Sequence, residues 1–179
     1  QQASGPATAK GIEDTALYRW FPLASLCEVG GEPDRALADA VDTLHAAAAV
    51  RAAHAPTSLV TVTTHDTKRS ADVRARLDAL TEVPAEWRAL VARWHRRHAP
   101  LRARAGRRVA PDPNVEYLLY QTLVGVWPVD ARGDALDAPA DDALVARVHE
   151  YLTKAMREAK AQTSWTHPHA EYELSLIHI

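Results

Sequence analysis

The chain has 179 residues with 47% hydrophobic content, enough to bury a real core as one domain or as part of a larger one. Lys+Arg 21 against Asp+Glu 23 leaves a net charge of -2, so electrostatics gives no reason to expect a nucleic-acid backbone or an anionic membrane as partner. The single cysteine, Cys27, excludes an intrachain disulfide framework and a multi-cysteine zinc site, and makes a reducing, cytoplasmic setting the expectation.

The opening Gln1-Gln2-Ala3-Ser4-Gly5-Pro6 has no initiator Met, basic n-region or apolar h-region, which reads as a cut inside a protein. No stretch approaches the roughly 18 apolar residues of a membrane span. From Lys10 to Leu26 the sequence is polar and aromatic, and Asp14 or Thr15 can cap a short helix ahead of Pro22. Gly30-Gly31 breaks the chain. Pro33 suits a first helical position, and Arg35 to Ala53, with Leu37, Val41 and Leu44 at helical spacing, reads as a helix closed by His54-Ala55-Pro56.

Ser58-Leu59-Val60-Thr61-Val62-Thr63-Thr64 is the run in which β-branched residues dominate, and it is expected to be a strand. His65-Asp66-Thr67-Lys68-Arg69-Ser70 follows, with Ser70 placed to cap a helix carrying Val73, Leu77 and Leu80. Strand, polar turn and helix make a βα unit. Pro84 opens a helix with Trp87, Leu90, Val91 and Trp94 on one face, read as two core tryptophans. His95 to His98 and the arginines at 102, 104, 107 and 108 read as a solvated helix face or loop. Asp112-Pro113 begins a helix with Val115, Leu118, Leu119, Thr122, Leu123 and Val126 on one side, closed by Trp127-Pro128. Val129 to Ala140 reads as loop. A last helix, from about Asp141 to about Lys160, buries Leu144, Val145, Val148, Leu152 and Met156. Leu174 to Ile179 is apolar with no helix or strand grammar leading into it, and is expected to be a foreign tail.

Three places could carry chemistry. His65-Asp66 directly after a strand is where a (β/α)₈ barrel presents catalytic groups, although a helix-capping Asp beside an incidental His gives the same dipeptide. The neighbouring Thr64, Thr67, Lys68, Arg69 and Ser70 form a polar turn that a polyhydroxyl ligand would satisfy. Lys10 and Glu13, three apart, can face the same way, as a site or as a surface ion pair. Trp165, in Thr163-Ser164-Trp165-Thr166-His167-Pro168-His169, is either a sugar-stacking platform or a loop anchor. Despite nine His, none falls in a His-Glu-x-x-His arrangement, and no metal or cofactor is expected.

Long runs then narrow the class. Gly5 to Arg19, Glu28-Val29-Gly30-Gly31, Thr64 to Arg76, Glu116 to Leu123 and Thr163-Ser164-Trp165 together resemble the maltooligosyl trehalose synthase family, of the α-amylase clan of retaining glycoside hydrolases and transglycosylases. Leu17 stands where a Phe is usual and Cys27 where an Asn is usual.

The resemblance implies an α/β chain. Residues 1–173 would be the C-terminal part of a catalytic (β/α)₈ barrel, predominantly helical here with inserted helices. It implies transfer within a maltooligosaccharide, the reducing-end α-1,4 bond becoming α,α-1,1. Such chemistry uses a nucleophile and an acid about 5 Å apart. Both are expected in the N-terminal part of the barrel, outside this chain, so the isolated chain is expected to be inactive. By resemblance Asp66 stabilises the transition state with His65 beside it, and Lys10 and Glu13 line the acceptor subsite. Thr67, Lys68, Arg69 and Trp165 are expected to bind substrate. Competing readings are an α-amylase-type hydrolase, an HD-type metal phosphohydrolase with its pair on a helix, and a non-catalytic helical module.

Overall fold

The computed structural model describes residues 3–34 and 39–178. Seven α-helices are seen among them: α1 (Ser4–Thr8), α2 (Ala40–His54), α3 (Ala71–Asp78), α4 (Pro84–His98), α5 (Pro113–Val126), α6 (Asp142–Ala159) and α7 (Ala170–Leu174). The sheet among the described residues is one antiparallel hairpin, β1 (Ala103–Ala105) and β2 (Arg108–Ala110), with Arg104 opposite Val109.

Three helices begin where side-chain oxygens satisfy otherwise orphaned backbone N–H groups. Ser70 accepts from the Val73 N–H, Asp112 from Asn114 and Val115, and Asp141 from Leu144. Pro113 fits the first helical position of α5, where no intrahelical donor is needed. The core lies between α3, α5 and α6 and the 3₁₀ turns at Ala16–Tyr18 and Ala24–Leu26. Leu17, Tyr18, Phe21, Leu77, Leu118, Leu152 and Met156 are buried there. Gln121 of α5 is buried as well; its Oε1 accepts from the Ala24 N–H at 2.7 Å and its Nε2 donates to the Phe21 carbonyl at 3.4 Å. A buried carboxamide with both ends used locks the N-terminal segment onto α5.

Several expectations change. Ser58 to Thr64 forms no strand, bends at Val62, and leaves Leu59 102% exposed. β-branched residues favour a pleated backbone, but a strand needs a neighbour's N–H and C=O groups, and no described segment lies alongside. With it goes the βα unit, although α3 forms as expected.

The helix read over Arg35 to Ala53 is described from Ala40, and Arg35 to Ala38, with Leu37, lie outside the described residues. Val41 and Leu44 do not bury; residues 39–66 are exposed throughout. Asp14 and Thr15 cap no helix: a π-helical turn, Ala9–Glu13, precedes them, and the Thr15 hydroxyl donates to the Lys10 carbonyl at 2.7 Å.

The basic stretch is not simply solvated. Arg102 and His95 both reach Glu116, buried in α5, at 2.7 Å, and residues 103–110 form the hairpin. Trp87 and Trp94 meet edge-on at 6.1 Å between centroids, half-buried against the core rather than inside it. Val145 stays exposed. The apolar end, read above without helix or strand grammar, does take regular form: α7 closes at Leu174 and a 3₁₀ turn, Ser175–His178, packs on β1 and α6 with Ser175 and Leu176 buried; Ile179 lies outside the described residues.

Candidate functional site

Two carboxylates, Asp14 and Glu28, assemble the polar segments. Asp14 follows the π-helical turn that carries Lys10 and Glu13. Its Oδ2 accepts from Lys10 Nζ at 2.6 Å and its Oδ1 from Lys68 Nζ at 3.2 Å. The Lys10 hydrogen bond, joined by Lys68, holds the Asp14 carboxyl below the ordinary carboxylate range despite partial burial. Lys68 is nearly buried, and its ammonium lies 5.0 Å from the centroid of the Tyr18 ring. Burial pushes the Tyr18 hydroxyl up to about 12, so it stays a neutral donor and acceptor.

Glu28 accepts from the backbone of the turn itself, from Lys68 N–H at 2.6 Å and Arg69 N–H at 3.1 Å. The Arg69 guanidinium returns to the Cys27 carbonyl at 3.3 Å and to the Tyr151 hydroxyl of α6 at 2.6 Å. Glu13 turns away from Lys10 and accepts from the Gly30 N–H at 2.9 Å. Lys10 and Glu13 therefore do not pair, because the i+4 carboxylate of Asp14 outcompetes the i+3 one.

From the other side, Lys160, left-handed at φ 52° after α6, donates to the Thr15 hydroxyl at 2.9 Å. Arg19 donates to the Ala159 and Lys160 carbonyls and so secures the end of α6. Lys160 also lines a shallow groove of about 340 Å³ with Gln162, Trp165 and His167. Trp165 is 54% exposed; one ring face lies 5.0 Å from the Arg157 guanidinium and its Nε1 donates to Glu158 at 2.9 Å.

His65 and Asp66 lie in a turn closed by the Thr64 N–H on the Thr67 hydroxyl at 2.6 Å. Their side chains are 91% and 70% exposed and 3.3 Å apart. Among the described residues they make no hydrogen bond or ion pair outside the turn. Asp66 is thus an uncommitted carboxylate, whereas Asp14 and Glu28 are committed to holding neighbours.

The structure therefore joins Lys10, Lys68 and Arg69 in one cluster, with Glu13 on the adjacent glycine turn and Thr67 inside the loop. Trp165 connects only through the Lys160 groove. Sequence reasoning gave no site role to Asp14, Glu28 or Tyr151, although Asp14 and Glu28 stand in the runs that carry the resemblance and Lys10 and Asp14 are at helical spacing. Among the described residues, no group of three or more His, Cys, Asp or Glu is arranged to hold a metal ion. No helix of the described chain is long and apolar enough to cross a membrane.

No family model matches the chain. A curated protein of Mycobacterium tuberculosis, named "Putative maltooligosyl trehalose synthase", is 42% identical over 173 residues, 97% of this chain and 20% of that protein. The solved maltooligosyltrehalose synthase from Arthrobacter ramosus superposes with a TM-score of 0.77 at 39% identity, covering 98% of this chain and 20% of that one. This chain belongs to the maltooligosyl trehalose synthases. A hypothetical maltooligosyl trehalose synthase from Sulfolobus tokodaii superposes with a TM-score of 0.75 at 32% identity, over 94% of this chain. The chain spans about one fifth of the length of these synthases.

Proposed function

We propose that this chain contributes the acceptor side of the active site of an intramolecular transglucosylase that turns the reducing-end α-1,4 bond of a maltooligosaccharide into an α,α-1,1 bond. The observation that carries this reading is the convergence of three motifs distant in sequence. Lys10–Thr15, Glu28–Gly31 and Lys68–Arg69 are tied together by the carboxylates of Asp14 and Glu28. A helical module that used these residues only for solubility would scatter them.

The cluster offers what such a transfer needs. The released glucose has to be held, reoriented and presented through its anomeric hydroxyl while water is excluded, which takes several directional contacts. Lys10, exposed beyond its contact with Asp14, has free N–H donors for sugar hydroxyls. Asp66, 3.3 Å from His65 and otherwise open, has an exposed carboxylate able to accept from sugar hydroxyls and to favour positive charge at the anomeric carbon more in the transition state than in the ground state. Thr67, Lys68 and Arg69 extend the polar wall, and Trp165 offers one open ring face for stacking.

In this reading Ser58 to Thr64 becomes a strand of an α-amylase-clan (β/α)₈ barrel when the rest of that barrel lies alongside, and Asp66 then stands at the strand's C-terminal end. The nucleophile and the acid come from that other part, and the expected setting is the cytoplasm. An α-amylase-type hydrolase shares the barrel but has no need of a site retaining glucose. The HD-type reading loses support because His65-Asp66 lies in a turn rather than on a helix.

Product analysis on maltopentaose tests the assignment. In the intact enzyme carrying this segment, Lys10→Ala or Glu13→Ala raises the ratio of free glucose to trehalosyl product several-fold. An unchanged ratio overturns the acceptor role. The 179-residue chain alone gives no non-reducing product, and turnover by it overturns the placement of nucleophile and acid elsewhere.

A further inference from the structure

We propose that Glu28 is a positioning residue for the transfer step, setting where Asp66 stands relative to the Lys10–Thr15 segment; this rests on the role given to Asp66 above.

Asp66 has no contact of its own outside the turn, so its location is decided by how the turn is anchored. Inside the turn little can move: the Thr67 N–H donates to the Thr64 carbonyl at 3.2 Å, and the Asp66 N–H to the Thr64 hydroxyl at 3.3 Å. The anchor lies two residues on. Glu28 takes the Lys68 and Arg69 N–H groups on its two oxygens, 2.6 and 3.1 Å away, and Oε1 also accepts from the Val29 N–H at 3.0 Å. Arg69 answers by donating to the Cys27 carbonyl at 3.3 Å, so the two segments hold each other reciprocally.

Glu28 is itself fixed. It opens a tight turn closed by the Gly31 N–H on the Glu28 carbonyl at 2.8 Å, with Gly30 at φ 72°. A Cβ on Gly31 would lie 2.4 Å from the Leu26 carbonyl oxygen, which leaves no room for a side chain. Glu13 holds the same turn through the Gly30 N–H at 2.9 Å. The segment bearing Lys10 and Glu13 is thus joined to the turn bearing Asp66 by Glu13 on the Gly30 N–H and Glu28 on the Lys68 and Arg69 N–H groups, alongside the Asp14 bridge between Lys10 and Lys68.

The chemistry requires a carboxylate. It accepts from two adjacent N–H groups and donates to none, whereas a carboxamide turns one of its two positions into a donor facing an N–H. Aspartate keeps both acceptors but is one methylene short.

Steady-state kinetics of the intact enzyme on maltopentaose test this. E28Q lowers kcat for the trehalosyl product by about 10- to 100-fold, the scale of an ångström-sized misplacement, with KM within about threefold of the parent. E28D, expected to fold even where E28Q does not, falls between the two. Amide exchange at Lys68 and Arg69 quickens in both variants while α5 and α6 keep their protection. Parental kcat per folded molecule in E28Q and E28D, or a loss confined to KM, overturns the positioning role. D66N with parental kcat overturns instead the reading of Asp66 on which the proposal rests.

Discussion

Arg157 and Glu173 form a two-pronged ion pair, Nε to Oε1 at 2.8 Å and Nη2 to Oε2 at 2.6 Å. Glu173 also accepts from the Thr163 hydroxyl at 2.6 Å, so one carboxylate joins α6, the 163–169 loop and α7. The same guanidinium lies against the Trp165 ring. Glu173→Gln removes the charge and one acceptor from a nearly buried site, at a cost of about 1–3 kcal/mol. Arg157→Lys keeps a charge but not the fork and costs less. Urea unfolding measures both, and Trp165 emission shifts along with stability. An unchanged midpoint in Glu173→Gln shows that the pair contributes nothing.

Glu116 presents a larger stake. It is 1% exposed, and it accepts from Arg102 and His95 at 2.7 Å and from the Tyr120 hydroxyl at 2.5 Å. Replacing it by alanine strands the nearly buried Arg102 guanidinium, whose Nε already lacks a partner, and costs about 3–5 kcal/mol. Glu116→Gln retains one acceptor oxygen and the side-chain volume and should cost less than half of that. Equal losses in the two variants would show that the charge, not the packing, is what Glu116 supplies.

The sign of the acid response follows from the same groups. Burial alone would push the Glu116 carboxyl up, but hydrogen bonds from Tyr120, Arg102 and His95 outweigh it and hold it below its ordinary 4.5. The Arg157 hydrogen bond does the same to Glu173. A carboxyl lowered on folding gives stability that is complete above its unfolded value and is lost as pH falls through the folded value, where protonation no longer distinguishes the two states. Unfolding midpoints therefore fall below about pH 4.5, and Glu116→Gln flattens that decline. A midpoint that rises on acidification contradicts both assignments.

The helices and caps of this fold are legible in the sequence because their causes are local. Ser70, Asp112 and Asp141 each precede an apolar stripe at helical spacing, and each caps its helix. What was not legible depends on partners far along the chain. Ser58 to Thr64 carries a strand's composition and finds no strand to pair with. Glu116 and Gln121 look like the polar side of α5, yet both are buried, because Arg102 and the Ala24 backbone come to meet them. In the candidate site, Lys10, Glu13 and Lys68 could be named from their motifs. That Asp14 and Glu28 hold them together could not, since the contacts of Glu28 span 40 and 41 residues.

Gly125 shows how two effects of one substitution can be weighed. It is buried on α5 where α3 crosses closely, and a Cβ there would lie 2.7 Å from Cγ1 of Val73 and 3.8 Å from Cγ of Leu77. Alanine in a helix interior gains about 1 kcal/mol over glycine in backbone entropy. Overpacking a contact this short costs about 1–3 kcal/mol, because Val73 is β-branched and has few rotamers to retreat into. The crowding outweighs the propensity, so Gly125→Ala is expected to destabilise by about 1 kcal/mol. Adding Val73→Ala removes the clash and makes the two changes non-additive, the double variant being more stable than the sum of the singles. A Gly125→Ala protein as stable as the parent would mean that α3 and α5 separate without cost.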